Sequence, residues 1–275
     1  SDYLSTTSYR FYDYATPLLT GVGVSIDEQP PCPEEDLVPC GSKQGNFNRA
    51  VEKPQPSRWY TDAQMDFGEA IYRGNYRIAR IEFDHKTREY YFRLSPNPVN
   101  DVATTRQIFQ VRPERLFLQV DRLRYANAED THTNTLKNIM IVPTSADGEP
   151  APVDRVKILP DPKRVEMLPP DNAGVTVAWF GQDALDVTLD SRRPAGPKFG
   201  GPSITLAGYR QTQGQNVLAS WKATGQSVLV SLLRGTRPGE KPIETMVDLS
   251  TADVAGVRAE MADGATVSLV VARQI

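Results

Sequence analysis

The 275-residue chain is 39% hydrophobic and 24% charged, the balance of an ordinary folded protein. It is long enough to bury a core without metals or many disulfides. A formal net charge of −3 is not the basic excess of a nucleic-acid binder, and any acidic polymer would have to find a local basic cleft. No stretch of about 18 apolar residues is present to insert into a membrane.

The opening Ser1-Asp2-Tyr3-Leu4-Ser5 does not read as a signal peptide. Tyr3–Tyr14 is rich in aromatics, with Arg10 between Tyr9 and Tyr12. Such a group can hold a sugar ring and its carboxylate, or it can be a first strand packing its rings inward. Cys32 and Cys40 lie in a proline-rich stretch. The spacing suits a disulfide that pins a loop, which implies an oxidising, extracellular or periplasmic setting. Free thiols are the alternative. A long loop is expected from Glu28 to Pro56. Arg58-Trp59-Tyr60 forms a second, smaller sugar-binding candidate, and Asp62–Ala70 reads as a helical turn or two.

Beyond this point, period-2 alternation dominates. Ala79–Phe83, Tyr90–Leu94, Leu116–Asp121, Val175–Phe180, Leu185–Leu189, Val228–Leu232, Val257–Met261 and Val267–Val271 each place one set of side chains on a core face. Turn signals separate them at Ser95–Pro98, Ala146–Pro150, Arg237–Gly239 and Ala262–Gly264. His85 sits at the tip of an expected hairpin. His132, in the polar link Glu129–Asn134, is the better candidate base, because a loop at a sandwich end can reach a cleft. Further loops are expected at Asp161–Ala173 and Ser191–Pro202. The latter carries Arg192, Arg193 and Lys198 and marks a possible subdomain break near 191–203. The 22 prolines argue against long helices. The expectation is therefore an all-β, antiparallel two-sheet (super) β-sandwich with long loops, forming one large domain over 1–275.

No nucleophile elbow, phosphate-binding loop, zinc-protease motif or calcium loop is present. Neither a cofactor nor a metal site is expected.

Three segments carry a resemblance. Arg106–Leu123 reads as a hairpin in which an arginine opens an apolar strand, Arg112-Pro113-Glu114-Arg115 reverses it, and a second strand ends in Val120-Asp121-Arg122. Val22-Gly23-Val24-Ser25-Ile26-Asp27 precedes it, and Val228–Gly239 with Gly256–Gly264 closes the chain. Together they resemble the C-terminal sandwich of heparinase II/III-type polysaccharide lyases. The resemblance implies β-elimination on uronic-acid glycans, with tyrosine and histidine moving protons and arginine meeting the carboxylate. It also implies a helical toroid that supplies most catalytic groups. No such helical region is present here. Where the family pattern has a His-Asn pair, this chain reads Leu19-Thr20-Gly21-Val22. Catalysis would thus need a toroid domain or companion chain, with His132 as this chain's candidate catalytic group. Tyr9, Arg10, Tyr12, Arg58, Trp59 and Tyr60 are its candidate contacts to an acidic polysaccharide. The alternative is a non-catalytic binding or assembly module of the same fold.

Overall fold

The computed structural model describes residues 23–29, 31–32, 39–40, 58–77, 79–84, 86, 89–94, 97–112, 114–142, 156–161, 163–167, 174–190, 213–240 and 243–273. For 31–32, 39–40, 79–84, 89–94, 137–142, 190 and 213–216 it describes the backbone. Every described element is a β-strand. In chain order these are β1 (Gly23–Ile26), β2 (Pro31–Cys32), β3 (Pro39–Cys40), β4 (Trp59–Thr61), β5 (Met65–Tyr76), β6 (Ala79–Asp84) and β7 (Glu89–Leu94). There follow β8 (Val99–Val111), β9 (Leu116–Arg124), β10 (Thr131–Val142), β11 (Val156–Leu159), β12 (Arg164–Met167) and β13 (Gly174–Phe180). The chain closes with β14 (Asp186–Asp190), β15 (Gln213–Thr224), β16 (Gln226–Thr236), β17 (Thr245–Asp248), β18 (Val254–Glu260) and β19 (Thr266–Ala272).

The expected antiparallel sandwich is present, and it carries an additional layer. A nine-stranded sheet runs β11-β12-β13-β16-β9-β8-β5-β2, with β4 added on β5. On one face, here the inner face, it packs against the four-stranded sheet β1-β10-β15-β14. Val24, Ile26, Leu136, Val217, Ala219 and Trp221 from the smaller sheet meet Val102, Leu123, Val165, Val177, Trp179 and Leu229 from the larger one. On the outer face lies the three-stranded sheet β17-β18-β19. Ala255, Val257 and Ala259 there cover Leu116, Leu118, Val120, Phe180, Val230 and Leu232. A further small sheet pairs β3, β7 and β6.

The central strands show why two covering layers are needed. In β16, Leu229 belongs to the inner core, while Val228, Val230 and Leu232 belong to the outer one. A strand buried on both faces reads as a continuous apolar run rather than an alternating one. Val228-Leu-Val-Ser-Leu-Leu233 has that character.

Two local expectations are corrected. Asp62–Ala70 is a turn and a strand, not a helix. The Asp62 carboxylate accepts the Gln64 and Met65 N–H groups at 2.8 and 2.7 Å, and the Asp62 N–H donates to the Met65 carbonyl at 2.9 Å, closing a tight turn between β4 and β5. The chain then pairs along β8 from Met65↔Val111 to Tyr76↔Val99. The expected loops Glu28–Pro56 and Asp161–Ala173 contain strands as well: β2 pairs with β5, β3 with β7, and β12 bridges β11 and β13. Residues 191–203, with the possible subdomain break, lie outside the described residues.

Candidate functional site

His132 is the second residue of β10 rather than part of a loop. The reason is register: Thr131 to Val142 pairs without interruption along β15, starting at Thr131↔Thr224. β1 pairs on the other edge of β10, with Ile26 opposite Asn134. This brings Asp27, at the turn after β1, beside His132. Asp27 and Glu28 adopt φ of 48° and 62°, a left-handed turn that Asp tolerates better than most residues. The Asp27 carboxylate accepts the Thr133 N–H at 2.9 Å and lies 2.6 Å from His132 Nδ1. A carboxylate on Nδ1 selects the tautomer that leaves Nε2 as the free acceptor.

Tyr125 stacks edge-on against the His132 ring, centroids 4.5 Å apart. Its hydroxyl donates to Asn134 Oδ1 at 2.8 Å. Burial pushes the Tyr125 phenol up to about 12, so at neutral pH it is a proton donor and not a base. Tyr125 is closed to solvent, whereas the His132 side chain keeps 15% of its surface. Asn134 is likewise buried, so the exposed side chains of this group are those of Asp27 and, in part, His132.

The second candidate group lies elsewhere. Trp59 on β4 sits opposite Gly68 on β5, and Gly68 sits opposite Ile108 on β8. Strand partners share a face, so these residues lie on the inner face beyond the edge of the four-stranded sheet. A Cβ placed on Gly68 would come within 3.2 Å of Trp59 Cζ3 and 3.3 Å of Cε3. The indole thus rests against bare backbone, and Trp59 remains 74% exposed. Ile108, across Gly68 from Trp59, is also exposed on this face, and so is Phe117, three strands away on β9.

Ion pairs brace β4 and β5, that of Arg58 with Glu69 on the face opposite Trp59. Arg58 Nε and Nη2 grip the Glu69 carboxylate at 2.8 and 2.6 Å. Gln107 Nε2 donates to the same carboxylate at 2.8 Å. These bonds, led by Arg58, hold Glu69 below the usual carboxylate range. Arg112 pairs with Asp66 and donates to Thr61 Oγ1 at 2.8 Å. Tyr60, half exposed, donates to Asp62 at 2.8 Å.

The structure does not bring His132 and the Trp59 group together. Trp59 belongs to the Ile108 row of β8 and Tyr125 follows the Ala103 row. Five residues along a strand is about 17 Å. Tyr9, Arg10 and Tyr12 lie outside the described residues, as do His85, Arg192, Arg193 and Lys198. No disulfide is found among the described residues. The side chains of Cys32 and Cys40 lie outside them, and the two backbones pair in different sheets. No cluster of metal-ligating side chains is found among the described residues.

No protein-family model and no curated protein matches the sequence. Solved structures do match the fold. The heparan sulfate lyase HepC from Pedobacter heparinus superposes with a TM-score of 0.53 at 11% identity, over 94% of this chain and 31% of that one. A mutant of the same lyase gives 0.52 at 11% identity, over 94% and 31%. A heparinase III gives 0.50 at 9% identity, over 98% and 33%. The chain therefore spans about a third of the length of these enzymes, and the likeness is one of fold.

Proposed function

We propose that this chain is the β-sandwich portion of a heparinase II/III-like polysaccharide lyase acting on uronic-acid glycans. The observation that carries this reading is the superposition of nearly the whole chain on a third of a heparan sulfate lyase. In β-elimination a base takes the proton on the carbon bearing the uronate carboxyl. The glycosidic oxygen then leaves as it accepts a proton, and a carbon–carbon double bond remains. A separate helical toroid supplies most of that machinery. The sandwich offers Trp59 as a flat apolar surface for a sugar ring, with Arg58 and Tyr60 on the opposite face of the same strand as further glycan contacts. His132, oriented by Asp27, is its candidate for a proton transfer. Tyr9, Arg10 and Tyr12 belong to the same proposed glycan contact. The chain works outside the cytoplasm, with Cys32 bonded to Cys40. Alkylation of the unreduced protein would then add no mass, and labelling of both thiols would discard the bond.

The test is the ultraviolet absorbance of the unsaturated uronate, with heparan sulfate, alginate and hyaluronan as substrates. The chain alone should give no product. The chain joined to its helical partner should, and His132→Ala should lower that rate by about 10²–10⁴-fold. Product formation unaffected by H132A would remove the catalytic role. A second reading, a non-catalytic glycan-binding module, is favoured by the open indole of Trp59. Glycan binding lost in W59A, with no product even when the helical partner is supplied, would establish that reading in place of the first.

A further inference from the structure

The outer face of the large sheet carries a further feature, one row along from the Arg58–Glu69 pair. Arg73 on β5 sits opposite Ala103 on β8, and Ala103 sits opposite Arg124 on β9. The next row holds Ile71, Thr105 and Arg122. All six point to one face, because strand partners and alternate residues do. Arg73 and Arg124 are two strands apart, about 10 Å, with only the small Ala103 between them. Both are exposed. Arg122 is half buried and donates one Nη1 bond to the Ala272 carbonyl at 2.5 Å, where β19 ends.

The contrast with the other arginines is informative. Arg58, Arg106, Arg112, Arg115, Arg164 and Arg234 each meet a carboxylate. Among the described residues, no carboxylate forms an ion pair with Arg73, Arg122 or Arg124. The nearby Glu69 is already held by Arg58 and Gln107. Arg237, Arg258 and Arg273 form no ion pair among the described residues either, so what sets Arg73, Arg122 and Arg124 apart is that three such groups share one face of a rigid sheet. Burial lowers the Arg122 pKa, which reflects the cost of desolvating a charge that an added anion would offset.

We propose that Arg73, Arg122 and Arg124 form a binding surface for a polyanionic glycan, separate from the Trp59 platform. Guanidinium groups present paired N–H donors that match the oxygens of sulfate or carboxylate. A spacing of about 10 Å across two strands fits successive anionic groups on an extended polymer better than a single small ion. The local positive charge also supplies the attraction that the chain's net charge of −3 does not.

The test is binding of the purified chain to heparin, a sulfated glycan, and to polyuronate alginate, each titrated with salt. The wild type should bind at least one. The double variant R73Q/R124Q should bind more weakly, and its slope of log affinity against log salt should fall by about one unit per arginine removed. The conservative R73K/R124K should retain most of the slope, and matching circular dichroism melts would show that the fold is kept. Heparin without alginate would identify sulfate as the ligand group, and the reverse carboxylate. Equal binding by wild type and R73Q/R124Q would overturn the proposal. Failure here is distinct from failure of the lyase reading: elimination activity with an unchanged salt slope sinks only the patch, and salt-dependent binding without elimination sinks only the lyase.

Discussion

At the scale of single residues, the Arg106–Asp121 pair shows how a sequence motif becomes a physical constraint. The two residues open and close the hairpin that carries the family resemblance, and they sit directly opposite each other on β8 and β9. Asp121 is fully buried, Arg106 Nε donates to it at 2.7 Å, and Gln119 Nε2 donates at 2.6 Å to its other oxygen. A buried carboxylate with both oxygens satisfied contributes little net stability, but losing its cationic partner is costly. Arg106→Leu should therefore destabilise the fold by about 3–5 kcal/mol, seen as a lower urea midpoint. The double variant R106L/D121L should recover most of the loss, because it removes the stranded charge as well. If R106L alone is neutral, the pair is not what holds Asp121 in place. The pairing of Arg106 with Asp121 could be guessed from the hairpin pattern. That of Asp27 with His132 could not, since the two are 105 residues apart and meet only through the register of β1 on β10.

At the scale of elements, the strands legible in the sequence are alternating ones such as β18 and β9, and apolar runs such as β13 and β16. β18 alternates Ala255, Val257 and Ala259 inward with Gly256 and Arg258 outward, and β9 alternates Leu116, Leu118 and Val120 with Phe117 and Gln119. β5 and β10 were hidden for different reasons. β5 contains good helix formers, yet Met65, Phe67, Glu69 and Ile71 become a strand because β8 offers Val111, Phe109, Gln107 and Thr105 opposite them. Tertiary pairing overrides local propensity there. β10 opens with Thr131-His-Thr-Asn134, polar enough to pass for a loop, because His132 and Asn134 face a hydrogen-bonded cluster instead of an apolar core. The turn between β15 and β16 fixes that end of the sandwich. Gly225 has φ of 67°, accepts the Tyr125 N–H at 2.9 Å and donates to the Asp130 carbonyl at 3.1 Å. A Cβ on it would lie 2.6 Å from the Ala128 carbonyl oxygen. Gly225→Ala should cost about 1–3 kcal/mol from the backbone conformation alone, read as a fall in melting temperature. It should also disturb the Tyr125–His132 contact, read from the His132 imidazole resonances by NMR. An unchanged melt would mean that the turn relaxes without strain.

At the scale of the whole molecule, the arrangement of layers separates what each surface is free to do. The inner face of the large sheet is covered at its centre by β1, β10, β15 and β14, and exposed apolar side chains remain towards both ends, Trp59, Ile108 and Phe117 on one side and Ile158 of β11 on the other. The outer face is sealed by β17, β18 and β19 over Leu116–Val120 and Val228–Leu232, and is open at the arginine rows beyond Arg122. The small outer sheet is thus a cover for the centre of the large one. It is held by apolar contact and by a few hydrogen bonds at its margin, such as Arg273 Nη1 to the Gly181 carbonyl at 2.8 Å. Burial of apolar surface is the main favourable term at such an interface, and β16 depends on it because its side chains are buried on both faces. Ending the chain after Glu240 would expose Leu118, Val120, Phe180, Val230 and Leu232 together, a contiguous apolar patch of the kind that drives aggregation. The truncated protein should aggregate or bind a hydrophobic dye strongly, while the four-stranded sheet and its inner core are untouched by the deletion. A truncated chain that stays monomeric and dye-silent would mean that the large sheet can close its outer face without the third layer. The sandwich proper would then be the inner pair of sheets alone.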